Sequence, residues 1–266
     1  MDHDSKTRLR PELERLHRRF NRPEWIDPDP LAVLGDYSDP PDRELAGLVA
    51  ASLAFGGVRQ IMASARTALA PYPSPHAGLL AAQPREIRRT AAGFRHRYVS
   101  GVELAALLLG ARRVLLEHGS LGGLFTGLAR PEERDFVPAL TRFAGVLRAA
   151  SGLEKNYLLP DPAGGSACKR WFLYLRWMVR RDAVDPGLWQ EAPASKLIVP
   201  MDLHMHRICL RLGFTARRAA DLRAALEATA GFRSVCPEDP VRYDFCLTRA
   251  AMHDPAALAP LFGAER

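Results

Sequence analysis

Amine chemistry needs a lysine, because a guanidinium cannot deprotonate usefully. This sequence is sparing with lysine: of 37 basic residues only Lys6, Lys155, Lys169 and Lys196 are lysine, and the rest are arginine. In a chain that uses arginine where positive charge suffices, a lysine retained in a motif, such as Lys169 in GGSACKRWFLYLRWMVRRD, either marks required amine chemistry or is one of four lysines left by chance. The same part of the chain holds Asp202, in MDLHMHRICLRLGFTARR. An aspartate at the head of a helix is by default an N-cap that accepts a backbone amide of the first turn, and capping does not prevent it from handling protons. His204 and His206 follow, but two residues apart on a helix they point about 200° from each other, so joint metal ligation is not expected.

Other groups in this segment suit a phosphate backbone. At about 100° per residue, Arg176 and Arg180 fall within about 20° of Lys169, while Trp171, Phe172, Leu175, Met178 and Val179 take the opposite side. The cationic face is either a solvated surface or a phosphate-tracking one. Gly164, Gly165 and Ser166 stand just before this helix, where free backbone amides can meet a phosphate or where the glycines simply make a turn.

The elements that must position these residues are helical. No run alternates strictly between apolar and polar residues between turn signals, and the apolar spacing is helical nearly throughout, so the fold class is all-α. Asp39-Pro40-Pro41-Asp42 places a cap and a first-turn proline before a helix over about 43–55. Ser100 with Glu103 is a capping box opening a helix to about Glu117. Pro131-Glu132-Glu133 opens another, Thr215 can cap the next, and Pro237 to Pro240 opens one reaching about His253. Gly213 ends the helix before Thr215. Breaks fall at Pro71 to Pro75, Leu158 to Gly165 and Asp185 to Pro200.

Composition bounds the partners. The net charge is +7, with 47% hydrophobic and 25% charged residues. No apolar run approaches the roughly 20 residues of a membrane span, and the charged stretch from Met1 to Arg22 lacks the apolar core of a signal peptide, so no membrane and a cytoplasmic location are expected. The positive balance favours a polyanion such as nucleic acid. Cys168, Cys209, Cys236 and Cys246 form no CxxC pair, so neither a disulfide framework nor a zinc site is signalled.

Two segments carry a family resemblance. The pattern D-x-H-x-x-R from Asp202 to Arg207, continued by Ile208 and Arg211-Leu212-Gly213, resembles the catalytic-aspartate segment of the endonuclease III family, in the helix-hairpin-helix DNA glycosylase superfamily. There a lysine at the start of the helix after the hairpin is the nucleophile of the bifunctional members, and Lys169 occupies the comparable place. Asp202 follows it by 33 positions, a spacing similar to that of the archaeal 8-oxoguanine glycosylases. The stretch Leu45 to Ile61, ending in AFGGVRQI, resembles the helix-turn-helix that offers a polar wedge to DNA, with Gln60 as the wedge beside Arg59. The usual hairpin L-P-G-x-G is replaced by Leu159-Pro160-Asp161-Pro162-Ala163-Gly164-Gly165, and no cysteine spacing fits the iron-sulfur cluster of many relatives, so no cofactor is implied. As a whole the chain also resembles a bacterial family of unassigned function, around KRWFLYLRWMVR and the Asp202 segment.

The resemblance implies a two-lobed helical fold with an interlobe cleft. One barrel-like lobe with a degenerate hairpin would span 45–180, residues 1–44 and 200–266 would form the second lobe, and 181–199 would connect them. It implies a repair glycosylase that excises a damaged base, with Lys169 attacking the sugar to form a Schiff base that permits strand nicking, and with Asp202 accepting the amine proton or stabilising the sugar cation. Lys196, six residues before Asp202, is the competing nucleophile. Arg170, Arg176, Arg180, His204 and Arg207 would contact DNA, and Tyr174 and Trp177, on the flank between the helix faces, would stack the flipped base. The partner expected is double-stranded DNA with a damaged or flipped base, bound by a monomer. The alternative is a non-catalytic DNA-binding protein of the same fold.

Overall fold

In the computed structural model, which describes residues 3–262, the chain is mostly helical. In chain order the helices are α1 (His3–Phe20), α2 (Pro40–Ser52), α3 (Val58–Leu69), α4 (Pro75–Ala81), α5 (Pro84–Ala91), α6 (Gly101–His118), α7 (Leu121–Leu128), α8 (Val137–Ser151), α9 (Lys169–Val179), α10 (Leu203–Arg211), α11 (Leu222–Val235) and α12 (Asp244–His253). The all-α reading holds with one exception. β1 (Arg95–His96) and β2 (Val99–Ser100) pair antiparallel, with Arg95 opposite Ser100. Strands this short leave no alternation for a sequence pattern to show.

The chain divides into two compact units. One holds Asp27–Glu133 and Val137–Pro162, that is α2 to α8 with the hairpin; the other holds the chain up to Ile26, Arg134–Phe136 and the chain from Ala163, that is α1 and α9 to α12. The expected boundaries are therefore corrected. Residues 27–44 belong with α2 to α8, and both α9 and the stretch 181–199 belong with α1. Periodicity reports that a helix buries a face, but not against which partner.

In the unit of α2 to α8, carboxylates from one helix cap another. Glu44, buried in α2, accepts the backbone amides of Leu121 at 3.1 Å and Gly122 at 2.7 Å at the start of α7. Asp42 accepts from the Ser74 hydroxyl at 3.0 Å and the His76 amide at 2.7 Å, at the start of α4. The Ser100 and Glu103 capping box is present, with the Ser100 amide donating to Glu103 Oε2 at 2.9 Å. At Gly101 the backbone of α6 comes so close to the end of α5 that an added Cβ would lie 1.9 Å from the Ala91 carbonyl oxygen. Gly101→Ala is therefore expected to cost at least about 1–3 kcal/mol of stability, the usual range for forcing extra volume into packed structure, as read from urea unfolding.

Three helix starts lie later than the sequence suggests. Glu133 does not open a helix but turns back to take Arg142 at 2.5 Å and the Arg130 amide at 3.1 Å, and α8 begins only at Val137. Thr215 donates to Glu227 at 2.5 Å, and Asp221 is the cap of α11, accepting the Ala224 amide at 2.8 Å. Pro237 to Pro240 form a turn, and α12 starts at Asp244. In the first two cases a partner elsewhere or a better-placed carboxylate takes the role. Gly213 does end its helix, at φ 69°, with the Phe214 amide bonding back to the Cys209 carbonyl at 2.9 Å.

Candidate functional site

The unit of α1 and α9 to α12 brings Lys169 and Asp202 together. Lys169 opens α9, directly after Cys168, whose φ of 45° is a left-handed conformation uncommon for a residue with a Cβ. Asp202 is the N-cap of α10: its Oδ1 accepts the Met205 amide at 2.9 Å. The other oxygen, Oδ2, lies 3.2 Å from Lys169 Nζ. The two starting turns thus face each other, and Asp202 caps and pairs at once. Side-chain exposures of 36% for Lys169 and 19% for Asp202 leave the pair open to a ligand.

The arginine face of α9 points inward. Arg176 and Arg180 side chains are each only 3% exposed. Arg176 bonds Asp244 Oδ2 at 2.5 Å and Asp185 Oδ1 at 3.1 Å. Arg180 bonds Asp239 at 2.8 Å, Asp182 at 2.8 Å and Asp185. Asp182 and Asp185 sit on a loop that folds back along α9, tied by Gly187 N–H to the Trp177 carbonyl at 3.1 Å and Trp189 N–H to the Met178 carbonyl at 2.7 Å. The expectation that Arg176 and Arg180 contact phosphates is thus corrected, because four aspartates supplied from other segments neutralise them inside the protein. Burial opposes the charge on Arg180, but Asp185, Asp239 and Asp182 outweigh it and hold the guanidinium firmly protonated. Burial likewise opposes ionisation of Asp182, yet the Arg180 charge and the amides of Asp185 and Val184 pull its carboxyl down to about 2.

The base-stacking candidates are also corrected. Tyr174 and Trp177 are both 0% exposed, and Tyr174 packs edge-on against Trp189 at 5.3 Å. With Trp171 and Phe172 also buried, α9 is covered on every side beyond its first turn, so no flank is left for a base. Arg170 remains half-buried in that first turn.

The remaining expected residues are distributed as follows. Gly164, Gly165 and Ser166 are exposed, and Gly165, at φ 74°, uses its carbonyl to accept the Leu222 amide at 3.2 Å. On α10, Arg207 is exposed and His204 half-buried. His206 is buried and donates Nε2–H to the Arg217 carbonyl at 2.9 Å. Lys196 is half-buried in a short turn over Ala194–Lys196, and its carbonyl accepts the Phe136 amide at 3.0 Å. The ion pair with Asp202 belongs to Lys169. In the other unit, Arg59 and Gln60 are exposed on the first turn of α3 after Gly56 and Gly57.

Asp244 was not anticipated. It heads α12, is buried, and its Oδ1 has no hydrogen-bond partner while Oδ2 meets Arg176. Burial raises its carboxyl to about 6 against the opposing pull of Arg176, and the charges of Asp202 and Lys169 also act on it. No local motif marks it, since its role comes from packing against α9 and α10. The native state should therefore bind a proton here that the unfolded chain releases between the ordinary value of 3.8 and about 6. Across that window this group's contribution to stability falls as pH rises, and it is fully lost above about 6. Asp182 acts oppositely, its contribution vanishing as pH falls from 3.8 to about 2. Carbon NMR of the Asp244 carboxyl should report a titration near pH 6; one completed by pH 4 would contradict the assignment.

A family model described as DUF2400, protein of unknown function, matches residues 29–253. The chain belongs to this family. The DUF2400 match covers α2 to α12 and so includes Lys169, Asp202 and Asp244. Comparisons with curated proteins and with solved structures return no match. No helix among the described residues of this DUF2400 protein is long and apolar enough to cross a membrane.

Proposed function

We propose that this DUF2400 protein is a DNA N-glycosylase with abasic-site lyase activity, built on a two-lobed fold of the helix-hairpin-helix kind. The observation that carries the reading is the 3.2 Å contact between Lys169 Nζ and Asp202 Oδ2 at two facing helix starts. Sequence resemblance to the endonuclease III family motivated the pair. The contact supplies the geometry such chemistry needs.

The roles follow from the two groups. Asp202 takes a proton from the Lys169 ammonium, and the amine's electron pair then attacks C1′ of the target nucleotide. The bond from C1′ to the base breaks, and its electron pair leaves on the base, which is protonated from water. The sugar ring opens to a protonated Schiff base between Lys169 and C1′. Removal of a C2′ proton then expels the 3′ phosphate and nicks the strand. Arg207, His204 and Arg170, all beside the pair in sequence and accessible to different degrees, serve the flanking phosphates, and Arg59 and Gln60, exposed on α3, are further DNA-contact candidates. Four aspartates absorb Arg176 and Arg180, so these two hold α9 in place instead.

The test is incubation with duplexes carrying an abasic site, 8-oxoguanine, an oxidised pyrimidine or uracil, with borohydride present to trap any Schiff base. A covalent adduct with at least one substrate is expected. Tight, salt-sensitive binding with neither adduct nor base release on the whole panel would overturn the enzyme reading in favour of a DNA-binding protein.

A further inference from the structure

The hairpin tip between α5 and α6 carries more than a turn requires. Its two loop residues are Arg97 and Tyr98, and Arg97 holds φ 53°, a left-handed conformation that glycine or asparagine adopts more cheaply. The Arg97 side chain lies over Gly56, where an added Cβ would come within 3.0 Å of Arg97 Cδ. His96, fully buried, bolts the tip to the loop before α3. Its Nε2 lies 3.0 Å from the Phe55 carbonyl oxygen and its Nδ1 2.9 Å from the Ser64 hydroxyl. A carbonyl only accepts, so Nε2 carries the proton and Ser64 donates to Nδ1.

This frame supports three rings. Tyr98 stacks on Phe55 with centroids 5.4 Å apart and planes at 26°. Tyr157 meets Tyr98 edge-on at 4.6 Å and Phe55 at 5.2 Å. Yet Tyr98 is 54% and Tyr157 44% exposed, so a rigid aromatic cluster presents wide faces to water. The three segments that supply it, 55–60, 95–98 and 154–157, also expose Arg59, Arg95, Arg97 and Lys155, against one carboxylate, Glu154. Aromatic faces flanked by a cationic surplus are what an unpaired strand needs: bases stack on the rings while phosphates meet the cations.

We propose that Phe55, Tyr98 and Tyr157 form a stacking platform for an unpaired nucleobase of a DNA strand. The proposal deepens the DNA reading, and it does not depend on the Lys169 chemistry. Binding of a labelled single-stranded thymidine oligomer, followed by fluorescence anisotropy, is compared with binding of the same backbone lacking bases. The wild-type protein should bind the thymidine oligomer about tenfold or more tightly than the baseless one, Tyr98→Ala should lose most of that difference, and Tyr98→Trp should keep it. Equal affinity for the two oligomers overturns the platform, and so does a Tyr98→Ala variant that retains the wild-type preference. A dimer seen by sedimentation that Tyr98→Ala disperses would also overturn it, showing that a second copy of the chain covers these rings. Because Tyr98→Trp preserves a ring at the tip, it carries the test even if the alanine variant folds poorly. Borohydride trapping is scored separately, so loss of the glycosylase reading and loss of the platform give different results.

Discussion

If the proposed chemistry holds, Lys169→Ala is expected to eliminate the borohydride-trapped adduct while leaving duplex affinity within about twofold, since one cation among several proposed phosphate contacts would contribute little to binding. Lys169 is the lysine seen at 3.2 Å from Asp202, whereas Lys196 sits in the separate turn Ala194–Lys196, so Lys196→Ala should leave adduct formation intact. The converse result, an adduct surviving Lys169→Ala and lost in Lys196→Ala, would reverse the assignment. Asp202 needs two variants because it caps α10 and, in the proposed mechanism, also takes the proton of Lys169. Asp202→Asn keeps an oxygen for the Met205 amide and loses the base, so turnover should fall by about 10²–10⁴ with little change in stability. Asp202→Ala also removes the cap of α10 and should cost a further ~1 kcal/mol of stability. If Asp202→Asn reacted at the wild-type rate, the carboxylate would be a cap and nothing more.

Arg180→Ala should be among the most destabilising substitutions in the chain. The guanidinium is 3% exposed and bonds Asp185, Asp239 and Asp182, of which Asp185 is 0% exposed by side chain. Removing the cation strands carboxylates in the interior, and breaking a buried pair in this way costs about 3–5 kcal/mol. Urea unfolding at neutral pH reads the loss. The same variant distinguishes a structural arginine from a DNA contact: to the extent that it remains folded, its binding should keep the wild-type salt slope. Arg207→Ala, on an exposed position of α10, should instead leave stability nearly unchanged and lower the slope by about one if Arg207 contacts a phosphate. A stable Arg180→Ala with a reduced salt slope would restore the phosphate-tracking reading of α9.

Arg176 and Arg180 owe their surroundings to residues far from them in the chain. A helical wheel places Arg176, Arg180 and Lys169 on one side of α9, and that side exists. The wheel gives no information on what faces it. Asp182 and Asp185 lie within a few residues of Arg180, but Asp239 and Asp244 are more than fifty residues further on, and only packing brings their charges to α9. Tyr174 and Trp177 failed for the same reason, since a flank that looks open on an isolated helix is closed by the loop carrying Trp189. The late helix starts at Val137 and Leu222 show a milder form of it, because Glu133 and Thr215 found partners nine and twelve residues away where local rules offered caps.

Local signals succeeded where a single turn of chain contains all the partners involved. The Ser100 and Glu103 box, Gly213 at the end of α10, Asp202 as a cap and Lys169 at the start of a helix are all decided within a few residues, by hydrogen bonds that neighbouring backbone can satisfy. The sequence by itself therefore determined that the chain is helical, where its scarce lysines stand, and which residue heads α10. Tertiary structure alone decided that Lys169 and Asp202, 33 positions apart, meet at 3.2 Å, that the arginines behind Lys169 are internal struts, that Asp244 is buried against Arg176, and that Phe55, Tyr98 and Tyr157 come together. The physical reason is common to all of them: charge neutralisation, burial and ring stacking depend on distance in space, and that distance is set only when the helices pack.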